Sequence, residues 1–256
     1  MISLGVHKAK SILMEKQLQR MQLTAEQARA ELRRHASPEK ARVAQRYFKT
    51  GPGEYAEGDI FLGMTAAVFR SVARLFRGMP LEEIDKLIGS EVHEERSLAL
   101  YLLVESYAAA DETGKARLVD FYLDHLRFVN NWDLVDGSAP HLLGVHLFRR
   151  GKQVLHRLAR SPRLWDRRVA VLSTLHFIRQ GSYEDTLKMA GMLLGDREDL
   201  MHKAVGWMLR EVGKRDKKAL ETFLEKHAAA MPRTMLRYAI ERMPEQKRQT
   251  YLKKKH

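Results

Sequence analysis

The chain has 256 residues, of which 45% are hydrophobic and 30% charged, so it has enough apolar sequence for a sizeable core and is not a disordered tail. Its 45 Lys and Arg residues outnumber its 32 Asp and Glu residues, which gives a formal net charge of +13. There is no cysteine, which excludes disulfides, thiolate metal sites and cysteine nucleophiles.

The charge surplus predicts a positive surface whose partner is nucleic acid, an anionic membrane or an acidic protein. We favour nucleic acid, because a pI near 9.9 is typical of proteins that bind it. The alternative is a basic protein that has no such partner.

The N-terminal residues predict an amphipathic first helix, because Leu4, Ile12, Leu18 and Leu23 form a helical stripe. A basic, acid-poor start is also compatible with an organellar transit peptide, but the apolar core of a secretory signal is missing. No apolar run approaches the roughly 20 residues needed to span a bilayer. We therefore expect a cytoplasmic protein of the bacterial cytosol or nucleoid.

The region 1–80 predicts irregular helices joined by a glycine-rich loop, KTGPGEYAEGD, at residues 49–59. A helix over 60–77 should follow, with Asp59 as its N-cap. The loop is not a phosphate-binding P-loop, since no Lys-Ser/Thr pair follows its glycines. It either only joins helices or brings three residues to nucleic acid, namely Tyr47, Lys49 and Tyr55.

From residue 81 the pattern is helical almost to the end. Long helices that are apolar on several sides are predicted to start near Ser97, Val169 and Ala204, and such helices are buried between neighbours. Shorter amphipathic helices are predicted over 81–88, 115–127, 152–159, 183–194 and 217–226. The turns between them are short, which favours antiparallel helix pairs.

A cation precedes each long apolar run at a recurring position: Arg96, Arg168, Lys203 and Arg237. The separations of 72, 35 and 34 indicate a two-helix unit with a period near 36. This period predicts an all-α solenoid of HEAT-like repeats, with regular repeats over 81–245 and a basic tail at 246–256 in one domain.

The recurring cations are either solvated helix ends or the lining of a concave basic groove. We favour a groove that follows a phosphate backbone, because four cations share one phase of the repeat. Arg96, Arg168, Lys203 and Arg237 are thus predicted to contact DNA. A groove formed within one chain needs no second copy, so we expect a monomer.

The repeat position between Arg96 and Arg168 holds Trp132, in the segment NNWDLVD. On a helix Trp132 and Asp136 share a face. Asn130 or Asn131 suits the N-cap and Asp133 the positive N-terminus, so Asp136 lacks a comparable structural explanation. Asp136 either pairs with a nearby cation such as Arg168 or has a function, which we favour because an anion opposes DNA binding.

The positive field of the groove should keep Asp136 ionised. Trp207 follows Lys203 by four residues and should project from the same face, although tryptophan in an apolar helix is more often core. Trp165 is predicted to pack. The sequence has no HExxH or GxSxG motif, and His141 and His146 are poorly spaced as ligands, so we expect no metal and no cofactor.

Five segments in order resemble the AlkD-type alkylpurine DNA glycosylases. They are TGPGEYAEGD with the following Phe61-Leu62-Gly63, NWDLVD, LWDRRVAVL, KAVGWMLREVGK and PRTMLRYAIE. The resemblance covers roughly residues 40 to 245, and the N-terminal segment departs from the family pattern.

The resemblance implies HEAT-like repeats and the removal of N3- and N7-alkylated purines, such as 3-methyladenine and 7-methylguanine, from double-stranded DNA in base excision repair. It implies that Asp136 is the catalytic carboxylate and that Trp132 and Trp207 pack against the deoxyribose. Arg168 would hold a backbone phosphate. It also implies a monofunctional enzyme without a base-flipping pocket. The alternative is a non-catalytic HEAT-like module that binds structured DNA or an acidic partner.

Overall fold

A computed structural model describes residues 23–253, so most of the predicted first helix, residues 1–22, lies outside the described part. Residues 23–253 form helices and no β-strand apart from an isolated bridge between Ile60 and Val92. The prediction of an all-α fold is therefore confirmed. None of these helices combines the length and apolar character that crossing a bilayer requires.

The chain divides into two compact units, Met1–Val129 and Asn130–His256. The described helices of the first unit are α1 Ala25–Arg34, α2 Pro38–Phe48, α3 Ala66–Leu75, α4 Leu81–Ile88, α5 His93–Ala109 and α6 Glu112–Asp124, followed by a 3-10 turn, Leu126–Phe128. The predicted single domain stays a prediction.

The second unit carries the candidate catalytic residues. Its helices are α7 Trp132–Ser138, a π-helical turn Pro140–Gly144, α8 Val145–Leu147, α9 Gln153–Leu158, α10 Leu164–Arg179, α11 Glu184–Met192, α12 Asp199–Gly213, α13 Lys217–His227, α14 Arg233–Ala239 and α15 Glu245–Leu252. The C-terminal segment 246–256, predicted as a basic tail, is thus helical up to Leu252.

The second unit is a helical repeat. Helices α10, α12 and α14 begin at Leu164, Asp199 and Arg233, which are 35 and 34 positions apart, and each packs against the next. Short amphipathic helices, α11 and α13, connect them. Helix α10 is buried on almost every side, as its long apolar run predicts. The helical repeat is confirmed, and its spacing agrees with the period read from the sequence.

The helix predicted over 60–77 is shorter than expected. It begins only at Ala66, where the Thr65 hydroxyl accepts a hydrogen bond from the Val68 N–H. Asp59 is therefore not its N-cap. Residues 60–63 are instead tied to α5, whose Glu94 carboxylate accepts hydrogen bonds from the Leu62 and Gly63 N–H groups, each at 2.9 Å. This long-range contact overrides the local helical pattern.

Helices α12 and α14 approach each other closely at Gly206. A Cβ at this position would lie 2.5 Å from the Met235 carbonyl oxygen and 2.5 Å from the Tyr238 Cβ. We expect Gly206→Ala to lower the free energy of unfolding by about 1–3 kcal/mol, because a packed helix pair must separate to admit a methyl group.

Urea denaturation of wild type and variant measures this effect. Gly191→Ala is the matched control, since Gly191 lies within α11 with open space around its Cβ position. That variant should be unchanged or more stable by up to about 1 kcal/mol. Equal losses in the two variants would contradict the close approach at Gly206.

Candidate active site

The candidate site begins at α7. The Asn131 side chain is buried and caps this helix by accepting a hydrogen bond from the Trp132 N–H at 2.8 Å, as one of the two predicted alternatives had it. Trp132 is the first helical residue and Asp136 lies one turn later. The two side chains therefore share a face of α7, and both are partly exposed.

Asp136 is held by Arg168 of α10 through both carboxylate oxygens. Arg168 Nε donates to Oδ1 at 2.9 Å and Nη2 donates to Oδ2 at 2.8 Å. The Asp136 side chain is 18% exposed and that of Arg168 is 6% exposed. The carboxylate thus has a fixed orientation and a restricted opening to solvent. Asp136 thus pairs with Arg168, which the sequence left open as the alternative to a functional role. This pairing is compatible with a catalytic carboxylate.

Arg168 is itself fixed by the backbone, because its Nη1 donates to the Leu200 carbonyl at 2.8 Å. Leu200 lies in the first turn of α12. The guanidinium therefore joins α7, α10 and α12, three successive helices of the repeat. Three of its five N–H groups are used in these bonds, so two remain for a phosphate or a water.

The pKa of Asp136 is shifted in the direction opposite to the one that a positive field alone would give. Burial raises the pKa of the Asp136 carboxyl, and the hydrogen bonds and charge of Arg168 lower it, but the net pKa lies above the ordinary value. The nearby Asp133 carboxylate raises it further. The positive charge of Arg168 does not dominate here, because the removal of the carboxylate from water raises its pKa by more than Arg168 lowers it.

Trp207 lies on α12 and is partly exposed rather than part of the core. Its indole N–H donates to the Glu211 carboxylate at 3.3 Å. Burial alone would raise the pKa of Glu211, but Lys214 and Trp207 lower it below the usual range. Glu211 is thus an ionised acceptor that fixes one edge of the indole. Sequence reasoning missed this role of Glu211, although the i,i+4 spacing of Trp207 and Glu211 permits it.

Two other predicted DNA contacts are accessible in the second unit. Lys203 on α12 reaches solvent and its ammonium lies 2.7 Å from the Asp199 carboxylate, one turn earlier. Arg237 on α14 is exposed. Both remain available to a phosphate, since an exposed ion pair exchanges readily with another anion.

Arg96 does not share this accessibility and is withdrawn from the predicted DNA contacts. Its side chain is 3% exposed, and its guanidinium donates to the Asp59 carboxylate at 2.6 Å and to the Ser90 carbonyl at 2.8 Å. The Asp59 side chain that pairs with it is only 6% exposed, whereas the Asp136 partner of Arg168 is 18% exposed, so the Arg96 pair is enclosed as a whole and the Arg168 pair is not. The repeat phase alone therefore does not decide which cations face solvent.

The other three predicted contacts lie at the surface of the first unit. Tyr47 on α2 is 65% exposed, and the Tyr55 hydroxyl lies 3.5 Å from its carbonyl oxygen. Lys49 ends α2 in a left-handed conformation, and its ammonium lies 3.8 Å from the Glu54 carboxylate. All three remain predictions as DNA contacts.

A buried charged cluster in the first unit was missed by the sequence analysis. His93, Glu94, Glu95 and Arg96 form the first turn of α5 and are all buried. Glu95 accepts from Arg29 at 2.8 Å and from Arg33 at 3.1 Å, which ties α5 to α1. The signal in the sequence that could have indicated this cluster is a run of four polar residues directly before an apolar helical segment. The cluster organises the loop and is not a candidate active site.

A second arginine pair provides a structural counterpart to the site. Arg167, the neighbour of Arg168 on α10, binds both carboxylate oxygens of Asp196 at 2.6 and 3.2 Å. This pair has the geometry of Arg168–Asp136 but no aromatic residue one helical turn before its carboxylate. Within residues 23–253, no group of three His, Asp or Glu side chains is arranged to hold a metal ion.

Comparison with known proteins agrees with this architecture. The family described as DNA alkylation repair enzyme matches residues 28–243. A solved structure described as a predicted DNA alkylation repair enzyme from Enterococcus faecalis is similar in fold, with a TM-score of 0.65 at 16% identity, over 82% of this chain and 98% of the other. No curated protein matches the sequence. The chain therefore belongs to the DNA alkylation repair enzyme family.

Proposed function

We propose that the protein is a monofunctional DNA glycosylase that hydrolyses the N-glycosidic bond of N3- and N7-alkylated purines in duplex DNA. The observation that carries this proposal is the Asp136 carboxylate. It is mostly buried, held at both oxygens by Arg168, and lies one helical turn from Trp132. A carboxylate held in this way suits a reaction whose transition state gains positive charge on the sugar.

The chemistry requires no strong acid. The alkylated purine is cationic, so the bond between C1′ and the base nitrogen breaks with its electron pair leaving on the purine, which becomes neutral. Positive charge then develops on the deoxyribose, and Asp136 stabilises it at short range in a site of low dielectric constant. Water attacks C1′, and its proton passes to the carboxylate or to solvent.

Trp132 and Trp207 are proposed to contact the deoxyribose of the damaged nucleotide. Both side chains are partly exposed on helices that Arg168 joins, α7 and α12. The face of an indole ring attracts cationic and polarised C–H groups, which are the groups that the sugar presents as the bond breaks. The two rings therefore favour the charged sugar over the neutral one.

The exposed cations and tyrosines hold the DNA backbone in this proposal. Lys203 and Arg237 contact phosphates from the second unit, and Tyr47, Lys49 and Tyr55 from the first. Arg168 uses its remaining N–H groups on a phosphate next to the lesion. These contacts fix the register of the DNA without reading sequence.

The experiment that tests the function is release of free 7-methylguanine from duplex DNA treated with a methylating agent, followed by chromatography. The wild type should release the base without added metal or cofactor, and Asp136→Asn should not. If the wild type releases no more base than the variant, the glycosylase proposal is wrong.

We expect Glu211 to matter through Trp207. Glu211→Leu removes the acceptor of the indole N–H, so single-turnover base release should fall about fivefold, the value of about one hydrogen bond, with little change in DNA affinity. Glu211→Gln keeps an acceptor oxygen and should restore most of the rate. A loss of equal size in both variants would mean that Glu211 acts through its charge rather than by orienting the indole.

A further inference from the structure

The second unit contains an open cleft that the proposed active site does not use. It has a volume of about 870 Å³ and lies between the end of α9, the turn at 160–162 and α11. Its polar lining consists mainly of Gln153, His156, Arg157, Arg160, Ser161 and Lys188.

The cations of this cleft are not neutralised by the protein. Within residues 23–253, no carboxylate lies within ion-pair distance of Arg157, Arg160 or Lys188, whereas the neighbouring Lys152 lies 3.7 Å from Asp185. The acid in the lining, Asp166, is already engaged by the Ser161 hydroxyl at 2.8 Å and by Arg163 at 3.1 Å. The cleft therefore carries a net positive charge.

The cleft opens on a different side of α10 from the candidate active site. Asp166 lines the cleft, and Arg168, two residues later, points to Asp136 and Leu200. Two residues on a helix are separated by about 200° around its axis. DNA bound at Asp136 thus lies against one side of α10 and leaves the cleft on the other.

We infer that this cleft is a second binding site for the phosphate backbone of duplex DNA. Arg157 lies in the last turn of α9 and Arg160 in the turn that follows it, and both are exposed residues that line the cleft. Guanidinium groups bind phosphate oxygens in pairs, and Lys188 adds a point charge from α11. The Gln153 amide supplies a neutral donor of the kind that positions a backbone.

The identification of DNA as the ligand of this cleft rests on the proposed function, since a DNA repair enzyme is surrounded by a large excess of undamaged duplex. The cleft adds a site that recognises undamaged duplex independently of the lesion. A chain with two backbone sites remains attached to one DNA segment while the other site releases, which suits a protein that searches for rare damage.

The test counts bound DNA. Undamaged duplexes of about ten base pairs, one helical turn, are short enough to occupy one site each. Analytical ultracentrifugation at low salt should find two duplexes per wild-type chain and one per Arg157→Gln/Arg160→Gln/Lys188→Gln chain. A single duplex on both proteins would overturn the inference.

A charge-matched control separates a local site from the general field. Lys218→Gln/Lys226→Gln/Lys253→Gln removes three exposed cations elsewhere in the second unit and should still bind two duplexes. Equal loss in both triple variants would show that only net charge matters, and would overturn the inference. So would cleft-dependent binding of polyglutamate when the DNA count stays unchanged, because the occupant would then be an acidic protein.

Two further measurements distinguish a failure of the cleft inference from a failure of the proposed glycosylase function. Asp136→Asn should still bind two duplexes, because the cleft does not involve Asp136. The cleft variant should release 7-methylguanine from a short methylated duplex at the wild-type single-turnover rate. A wild type that releases no base would end the glycosylase proposal, and the duplex count would still decide the cleft.

Discussion

Replacing Asp136 by asparagine should lower the single-turnover rate of 7-methylguanine release about 100- to 1,000-fold, the usual effect of losing one preorganised electrostatic contact to a transition state. Asparagine keeps the shape of the side chain and one acceptor oxygen for Arg168. It removes the negative charge that we propose stabilises the sugar cation. The loss should therefore appear in the rate of bond cleavage rather than in folding.

The matched control is Asp196→Asn. Arg167, on the same helix as Arg168, binds both carboxylate oxygens of Asp196, which has no tryptophan one turn before it. This variant should lose stability to a similar degree and keep its rate. If both asparagine variants lose activity equally, the effect of Asp136 is structural and the proposed chemistry fails.

DNA affinity separates catalysis from binding in the same experiment. Removing an anion from a surface that faces a polyanion should leave affinity unchanged or increase it, so Asp136→Asn should bind methylated duplex at least as tightly as wild type. Clearly weaker binding by the folded variant would contradict the assignment of Asp136 to the reaction rather than to the DNA interface.

Much of the second unit is predictable because its signals are local. Long apolar runs predict buried helices, and the recurring cation predicts a period that the starts of α10, α12 and α14 match. Trp132 and Asp136 are recognisable as candidate site residues because Trp132 occupies a repeat position that holds a cation in the other repeats. Helical geometry alone places the two residues on one face. These inferences use spacing along the chain and need no knowledge of distant partners.

The errors arise where partners are distant in sequence. Asp59 is a plausible N-cap until Arg96, 37 positions later, pairs with it. The same contact buries Arg96 and removes it from the DNA-facing cations. Spacing along the chain does not predict which of several equivalent cations pairs with a carboxylate that is distant in sequence, because that pairing depends on how the helices and loops pack.

The direction of the Asp136 pKa shift could not be predicted from the sequence for a related reason. Counting charges along the sequence suggests a field that favours the carboxylate. Burial acts in the opposite direction and is larger, so the pKa is raised although Arg168 is in contact. Desolvation depends on the atoms that surround a group, and these are known only once the helices are packed.

Arg168→Ala should lower the free energy of unfolding by about 3 kcal/mol near pH 8, since it leaves a mostly buried carboxylate without its partner. The raised folded-state pKa of Asp136 implies that its contribution to stability is present at low pH and lost as pH rises through that pKa. The difference between wild type and variant should therefore shrink as the pH is lowered and Asp136 becomes protonated. Urea denaturation at several pH values measures it.

The same substitution should move the pH dependence of base release. Activity requires ionised Asp136, so its acid limb follows the pKa of that group, which burial raises and Arg168 lowers. Removing Arg168 leaves burial and the charge of Asp133, which both raise the pKa, so the acid limb should shift to higher pH. Arg167→Ala breaks the neighbouring pair with Asp196 and should leave the limb in place. If Arg168 served only to bind phosphate, its removal would weaken DNA binding with no shift in the limb, and Asp136 would not depend on it.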